Sequence, residues 1–394
     1  MYNYKMGLNY FILLFVLYII PVAVQAGELS SAETKGDEGG VSLEYREQTV
    51  AVDVSTLKSL PEVLERVSGK KIVYVGEYHD RFSGHAVELD VIKTLYQKNG
   101  KIAIGMEMFQ RPFQKILDGY IAGTIDERTM LKSTEYFKRW GVDYNFYRSI
   151  LTFARQERIP VIALNVRREI TDKVLGGGID SLSEGEKKEI PSQMDFSDQN
   201  YKALLHEVFM KHEDSKKMNF DFFYMAQIVW DECMSQSVDD FLKSNPAFRN
   251  NGQVIILAGN GHLAFGSGIP KRTFRRNGLD YAIILNDMDI ERDIADYIIY
   301  PKPVEGAASP RIMAVLKEAP EGAVIKRFPK GSISEKAGLK EGDIILAMDD
   351  IPVADIADIR MHLLYKKKGD TLKIKIRRKR FLLGCTEKEF TLVL

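Results

Sequence analysis

Cysteine is nearly absent: Cys233 and Cys385 are the only two in 394 residues. They lie far apart, so a disulfide framework is not expected, and a cysteine-rich zinc site is excluded. Net charge is absent too, with Lys+Arg 55 against Asp+Glu 55. A nucleic-acid binder usually carries a basic excess, so nucleic acid is not an expected partner. The basic run "YKKKGDTLKIKIRRKR" does not change that, because the alternation in TLKIKI reads as a strand with a solvated lysine face. A phosphate-binding Gly-rich loop, a GxSxG elbow and an HExxH motif are all missing. Histidine is scarce, six in all, yet His79 and His85 fall in one short stretch, "KIVYVGEYHDRFSGH", where an apolar run ends.

What is present begins with an apolar run from Tyr10 to Ile20, behind Lys5 and before Pro21. Val24 and Ala26 stand where signal peptidase cuts, before Gly27. The run is short for a membrane span, so residues 1–26 read as a signal peptide and the protein is expected to be exported, to a bacterial periplasm. With no Cys after the run it is not expected to be a lipoprotein. Residues 27–49 are polar and Gly/Ser-rich, a flexible lead-in.

From about residue 50 to 300, short apolar runs alternate with helical stretches: "KIVYVGE", "KIAIGME", "IPVIALN", "QVIILAGN" and "LDYAIILND". Such runs read as buried strands of a mostly parallel sheet in a three-layer α/β/α core. Two longer helical insertions interrupt them, with capping-box patterns at Thr124-x-x-Glu127 and Ser183-x-x-Glu186. "YPKPVEGAASP" forms a linker over 301–310, and residues 311–394 form a second, small, mainly-β module.

Ligands of parallel α/β sheets bind outside the carboxyl ends of the strands. Those ends carry Glu77, Tyr78, His79 and Asp80; Glu107; Asn165; Asn260 and His262; and Asn286 and Asp287. Gly-x-x-His occurs twice, as GEYH and GNGH, each directly after an apolar strand. If the ends are neighbours, Glu77, His79, Glu107 and His262 converge. That set suits two chemistries: a divalent metal such as zinc or manganese with a position left for water, or haem iron held by imidazole or phenolate. His85 follows Ser83, a predicted N-cap. Gln227, Trp230 and Asp231 share one helix face, and Trp140, Asp143, Tyr144 and Tyr147 offer either an aromatic pocket wall or helix packing. His206 and His212 point to different faces of one predicted helix, and His362 reads as a surface residue. Cys233 sits mid-helix without a base, a poor nucleophile.

Two resemblances rest on these residues. "GSISEKAGLKEGDIILAMDD" resembles a bacterial PDZ domain, which implies peptide or protein C-terminus binding by strand addition. Its carboxylate loop would be Met313-Ala314-Val315, where Ala314 replaces the family's common Gly, so a scaffolding or homodimer role stays open. "VGEYHDRFSGH", "GMEMFQR", "IPVIALNVRREI", "AQIVWDECMSQSV" and "GNGHLAFGSGIPKR" resemble the ChaN-like haem-binding family, within the Tiki/TraB and erythromycin-esterase-like group. The resemblance implies haem or iron handling, with Tyr78, His79, His85, Gln227, Trp230, Asp231 and His262 at the haem or ligand site. Related branches imply instead a metal-dependent hydrolase or peptidase, with Glu77, His79, Glu107 and His262 on the metal; a non-catalytic adaptor is the third alternative. Glu88 stands where the family pattern leads us to expect Gln.

Overall fold

The computed structural model describes residues 51–211, 215–380 and 384–394. The predicted signal peptide, the lead-in and His212 lie outside these. Helix α1 (Leu60–Val67) leads into β1 (Ile72–Glu77), α2 (Phe82–Asn99) and β2 (Ile102–Gln110). Helices α3 (Gln114–Ile121), α4 (Glu127–Ser133), α5 (Tyr136–Arg139) and α6 (Asn145–Gln156) precede β3 (Val161–Asn165). Then come α7 (Arg168–Gly177), α8 (Glu184–Lys187), α9 (Gln199–Met210), α10 (Phe220–Ser244) and α11 (Pro246–Asn251) before β4 (Gln253–Gly259). Helix α12 (Ile269–Asn277), β5 (Tyr281–Asn286) and β6 (Tyr297–Ile299) complete the first unit.

Its sheet has the order β3-β2-β4-β1-β5-β6, and every pairing between the described strands is parallel. The apolar runs form strands because both faces are covered: all six residues of β1 and all seven of β4 are buried. Side chains alternate between two cores. Val73 and Val75 pack with Val91, Leu95, Tyr147 and Leu151 of α2 and α6. Ile72 and Tyr74 pack with Val229, Cys233 and Val238 of α10. This is the expected three-layer α/β/α arrangement. Gly100, with φ 62, ends α2 by donating its N–H to Tyr96 O.

Local signals fared unevenly. Ser183 and Glu186 form the predicted capping box of α8. Thr124 does not cap α4: its hydroxyl donates back to Gly119 O of α3, and the helix starts after Asp126, whose side chain accepts the Thr129 N–H. Helix α2 starts one residue before Ser83, which lies inside it.

The second unit contains β7 (Val315–Ala319), β8 (Gly322–Arg327), α13 (Ile333–Lys336), β9 (Ile344–Met348), β10 (Ile351–Pro352), α14 (Ile356–Leu363), β11 (Thr371–Arg380) and β12 (Gly384–Val393). Its antiparallel sheet runs β12-β11-β9-β8-β7. The TLKIKI alternation is as predicted: Leu372, Ile374 and Ile376 are buried and Lys373 and Lys375 exposed. His362 is buried rather than superficial, because its Nε2 lies 2.9 Å from Asp349 Oδ2.

Residues 301–310 do not hang between the units. Ser309 donates its N–H (2.5 Å) and hydroxyl (2.9 Å) to Asp143. Gly306 lies so close to the Phe82 ring that a Cβ there would overlap it. On the far side, Ala357, Met361 and Leu364 of α14 and its end pack into the first unit's core. Lys138 of α5 pairs with Asp355 at 2.7 Å, and Arg360 donates to Gly141 O at 2.8 Å.

Candidate functional site

The strand order makes β2, β4 and β1 adjacent, so the ends that carry Glu107, His262 and His79 meet. Gly76 is what permits this: a Cβ there would collide with the Asn260 side chain and Leu285. Into that space Asn260 donates to Asn286 O (3.0 Å), and Asn286 donates to Gly76 O (2.6 Å), tying the ends of β1, β4 and β5.

Two assemblies of the same form flank Glu107. In the first, His79 Nδ1 lies 2.6 Å from Glu77 Oε1, the Tyr147 hydroxyl donates to the same oxygen at 3.0 Å, and the Trp140 ring meets the imidazole edge-on at 4.7 Å. In the second, His262 Nδ1 lies 2.6 Å from Asp231 Oδ1, Tyr201 donates to Asp231 Oδ2 at 2.7 Å, and Trp230 sits edge-on at 6.0 Å. A carboxylate only accepts, so each Nδ1 carries a hydrogen and Nε2 is the ring atom left for a ligand. Both Nε2 atoms are buried without a partner, as is Glu107 Oε1, which lies 3.5 Å from His262 Nε2. The other Glu107 oxygen accepts the Gly259 N–H at 2.8 Å.

The neighbouring carboxylates also favour the protonated rings, so a ligand at Nε2 would displace a proton. Burial lowers the His262 pKa, but Glu107 and Asp231 outweigh it and bring it up to about 9. Burial likewise opposes protonation of His79, and Glu77 overcomes it to raise the pKa. Glu77 would be raised by burial, yet the His85 and His79 charges hold it below the usual carboxylate range. A narrow cleft opens beside Glu107 between Trp140 and Trp230, with Asn165, Arg139 and Arg168 on its walls. Arg168 Nη2 is buried there without an acceptor.

Other sequence candidates are placed elsewhere. Tyr78 faces away from His79: its hydroxyl contacts Met288 Sδ at 3.4 Å and Arg81 covers its ring at 3.9 Å. His85 does not join the two histidines at the cleft: its Nε2 lies 3.2 Å from His79 O and its Nδ1 faces Glu77 and Glu88. Glu77 Oε1 is held by His79 and Tyr147 and Oε2 faces His85, so the four residues Glu77, His79, Glu107 and His262 are not gathered in one sphere. Among the described residues the trio whose ligating atoms lie within 4.8 Å of one another is Glu77, His85 and Glu88. Gln227 and Trp230 share the α10 face with Asp231, as the spacing required. Trp140 and Tyr147 join the site, whereas Asp143 holds the linker and Tyr144 packs against Tyr136. Burial pushes the Cys233 thiol up to about 12, which disqualifies it as a nucleophile. Sequence reasoning missed Tyr201, Arg139 and Arg168; only contacts across the fold single them out.

The model of the haem-binding uptake family (Tiki superfamily, ChaN) matches residues 63–273, more than half of the 394-residue chain. The chain belongs to this family. A PDZ model matches residues 310–386. Among solved structures, ChaN of Campylobacter jejuni, described with cofacial haem binding, is 16% identical with a TM-score of 0.47, covering 62% of this chain and 92% of that one. The PDZ domain of a carboxy-terminal protease from Vibrio cholerae, in complex with peptide, is 22% identical over 21% of this chain and 89% of its own, with a TM-score of 0.18. Protein RETICULATA-RELATED 5, chloroplastic, from Arabidopsis thaliana is 22% identical over 265 residues, 61% of this chain. The chain spans about a third of that protein's length, 34%.

The ChaN-like unit holds its second histidine by a tight loop. A Cβ on Gly268 would run into the His262 carbonyl. Gly268→Ala is therefore expected to cost about 1–3 kcal/mol in thermal melts. Gly69→Ala, where nothing lies within 4 Å, should be nearly neutral; equal effects would show that the His262 loop is not tightly packed.

Proposed function

We propose that the chain is an exported haem-binding protein. His79 or His262 offers the iron ligand, Arg139 and Arg168 meet the propionates, and the PDZ unit recruits a peptide or protein C-terminus. One observation carries the reading: two imidazoles with Nδ1 fixed by buried carboxylates and Nε2 left without a partner. Hydrogen bonding of this kind fixes the ring and raises ligand basicity. The donor chemistry suits the group: imidazole nitrogens ligate iron, Trp140 and Trp230 flank a narrow cleft nearby, and Arg168 has an unpaired donor for an anion. Bound haem would supply a redox-active iron for storage or transfer. In the PDZ unit, Met313-Ala314-Val315 leads into β7, an edge strand among those described, with α14 beside it. Met313 has φ 52, and its carbonyl is held by Ser332 at 2.6 Å. That supports strand addition.

Haemin titrated into the purified protein should give a sharpened Soret band, with affinity reduced about tenfold or more by His79→Ala or His262→Ala. N-terminal sequencing should find the secreted protein beginning at Gly27. No Soret change, together with bound zinc or manganese that His262→Ala removes, would reject the haem reading. It would favour the second reading, a metal-dependent hydrolase, whose support is Glu107: a buried, unpaired carboxylate oxygen beside His262 Nε2 is a hard donor that haem iron does not need.

A further inference from the structure

We propose that Glu77, His85 and Glu88 form a site for one divalent transition-metal cation, set behind His79 and separate from the cleft. The three side chains are 0%, 3% and 0% exposed. His85 Nδ1 lies 2.8 Å from Glu88 Oε2 and 3.0 Å from Glu77 Oε2. His85 Nε2 faces the His79 carbonyl at 3.2 Å. Both ring nitrogens thus face only acceptors, a carbonyl at Nε2 and two carboxylate oxygens at Nδ1, so without a metal each carries a hydrogen, and a metal cation would take the place of the one on Nδ1. Such an arrangement demands a positive species at that point.

A single proton on Nδ1 cannot satisfy it. Directed at Glu88, it leaves Glu77 Oε2 and Glu88 Oε1 buried without a donor, as they are here. A cation meets both carboxylates at once. Octahedral ligands at about 2.1 Å stand about 3.0 Å apart, so both contacts of Nδ1 are compatible with a shared cation as well as with a hydrogen bond. Histidine ligands also characteristically donate their second N–H to a carbonyl or carboxylate, and His85 does so to the His79 carbonyl. One imidazole and two carboxylates suit Mn²⁺, Fe²⁺ or Zn²⁺. The frame is rigid: Glu77 ends β1, His85 and Glu88 stand three apart on α2, and Glu77 Oε1 is pinned by His79 and Tyr147. A cation on Glu77 would draw charge from the carboxylate that orients His79, lowering the basicity of its Nε2.

The competing occupant is a second proton on Glu88, whose carboxyl is raised by burial and by Glu77. Mn²⁺ decides between them. Chelator-treated protein is titrated with Mn²⁺, free ion being read from its six-line EPR signal, alongside His85→Gln, Glu88→Gln and His262→Ala. We expect one tight equivalent in the wild type, affinity lower by about 100-fold in His85→Gln and Glu88→Gln, and full binding in His262→Ala. Glu88→Gln preserves size, and its near-UV circular dichroism verifies the fold. No bound equivalent in the wild type, wild-type affinity in the two variants, or loss in His262→Ala instead would each overturn the site. The proposal does not rest on the haem reading: haemin affinity in Glu88→Gln should stay within a few-fold of wild type, and a failed haemin titration with Mn²⁺ binding intact rejects haem alone.

Discussion

Replacing Glu232 by alanine should remove about 3–5 kcal/mol of stability, the loss associated with leaving a buried charge unpaired. Glu232 is fully buried on α10. Its carboxylate accepts from Arg275 at 2.7 and 2.8 Å, from Arg276 at 2.6 Å and from the Asp195 N–H at 2.8 Å, and Arg272 Nε stands 3.4 Å away. Arg272 is itself 1% exposed and has no other carboxylate within ion-pair distance among the described residues. Without Glu232, this guanidinium would remain inside with carbonyl bonds at Ser267, Gly268 and Asp195, the Tyr201 ring at 5.3 Å and the more distant Asp231 charge, but no paired carboxylate. Because Arg272 bonds the loop behind His262, the loss should also loosen the site. At roughly 2–4 °C per kcal/mol for a domain of this size, the melting temperature should fall by about 10 °C. Glu232→Gln should recover part of that, keeping an acceptor for Asp195 and one arginine. A melting temperature within a degree or two of wild type would show that the cluster relaxes into solvent.

The second large effect is on pH. Ligand-free protein should be most stable near pH 5–6.5 and weaken steadily towards pH 9–10. His262, raised to about 9, and His85, raised to about 10, each contribute stability that is fully present below about 6.5 and lost as pH rises through the folded value. Glu88, raised, acts in the same direction: the folded state retains a proton that the unfolded chain has released, so stability again falls with rising pH. Glu77, depressed, contributes stability present above the ordinary carboxylate range and lost on acidification. At about 1.4 kcal/mol per pK unit, His262 alone accounts for a loss on the order of 3 kcal/mol. Calorimetric melts from pH 6 to 9.5 test this. A flat profile, or an unchanged slope in His262→Gln, would mean that the imidazoles are not charged inside the fold.

The sheet was legible because β1 to β5 are buried on both faces, and burial on both faces writes itself as unbroken apolar runs. The site was legible in part for the same reason: Glu77, Glu107 and His262 are polar residues standing where those runs stop. Gln227, Trp230 and Asp231 could be grouped because helical spacing is local. Tyr201 could not, since its tie to Asp231 spans thirty positions and an aromatic residue on an amphipathic helix looks like packing. The direction of Tyr78 was likewise invisible; it depends on a loop turning after β1, not on any repeat. Thr124 misled because its hydroxyl turns back to Gly119 O, and the helix begins two residues later, after Asp126, whose carboxylate accepts the Thr129 N–H.

The segment 301–310 has the composition of a tether and the contacts of a clasp. A flexible tether lets a captured partner sample a sphere, at an effective concentration that falls with tether length. Asp143, Phe82 and the seat of α14 on α5 replace that sphere with a single bearing. Whatever the second unit holds is therefore presented at one distance and one angle from the cleft, so lengthening the chain at residue 305 would not extend its reach unless the clasp were first undone.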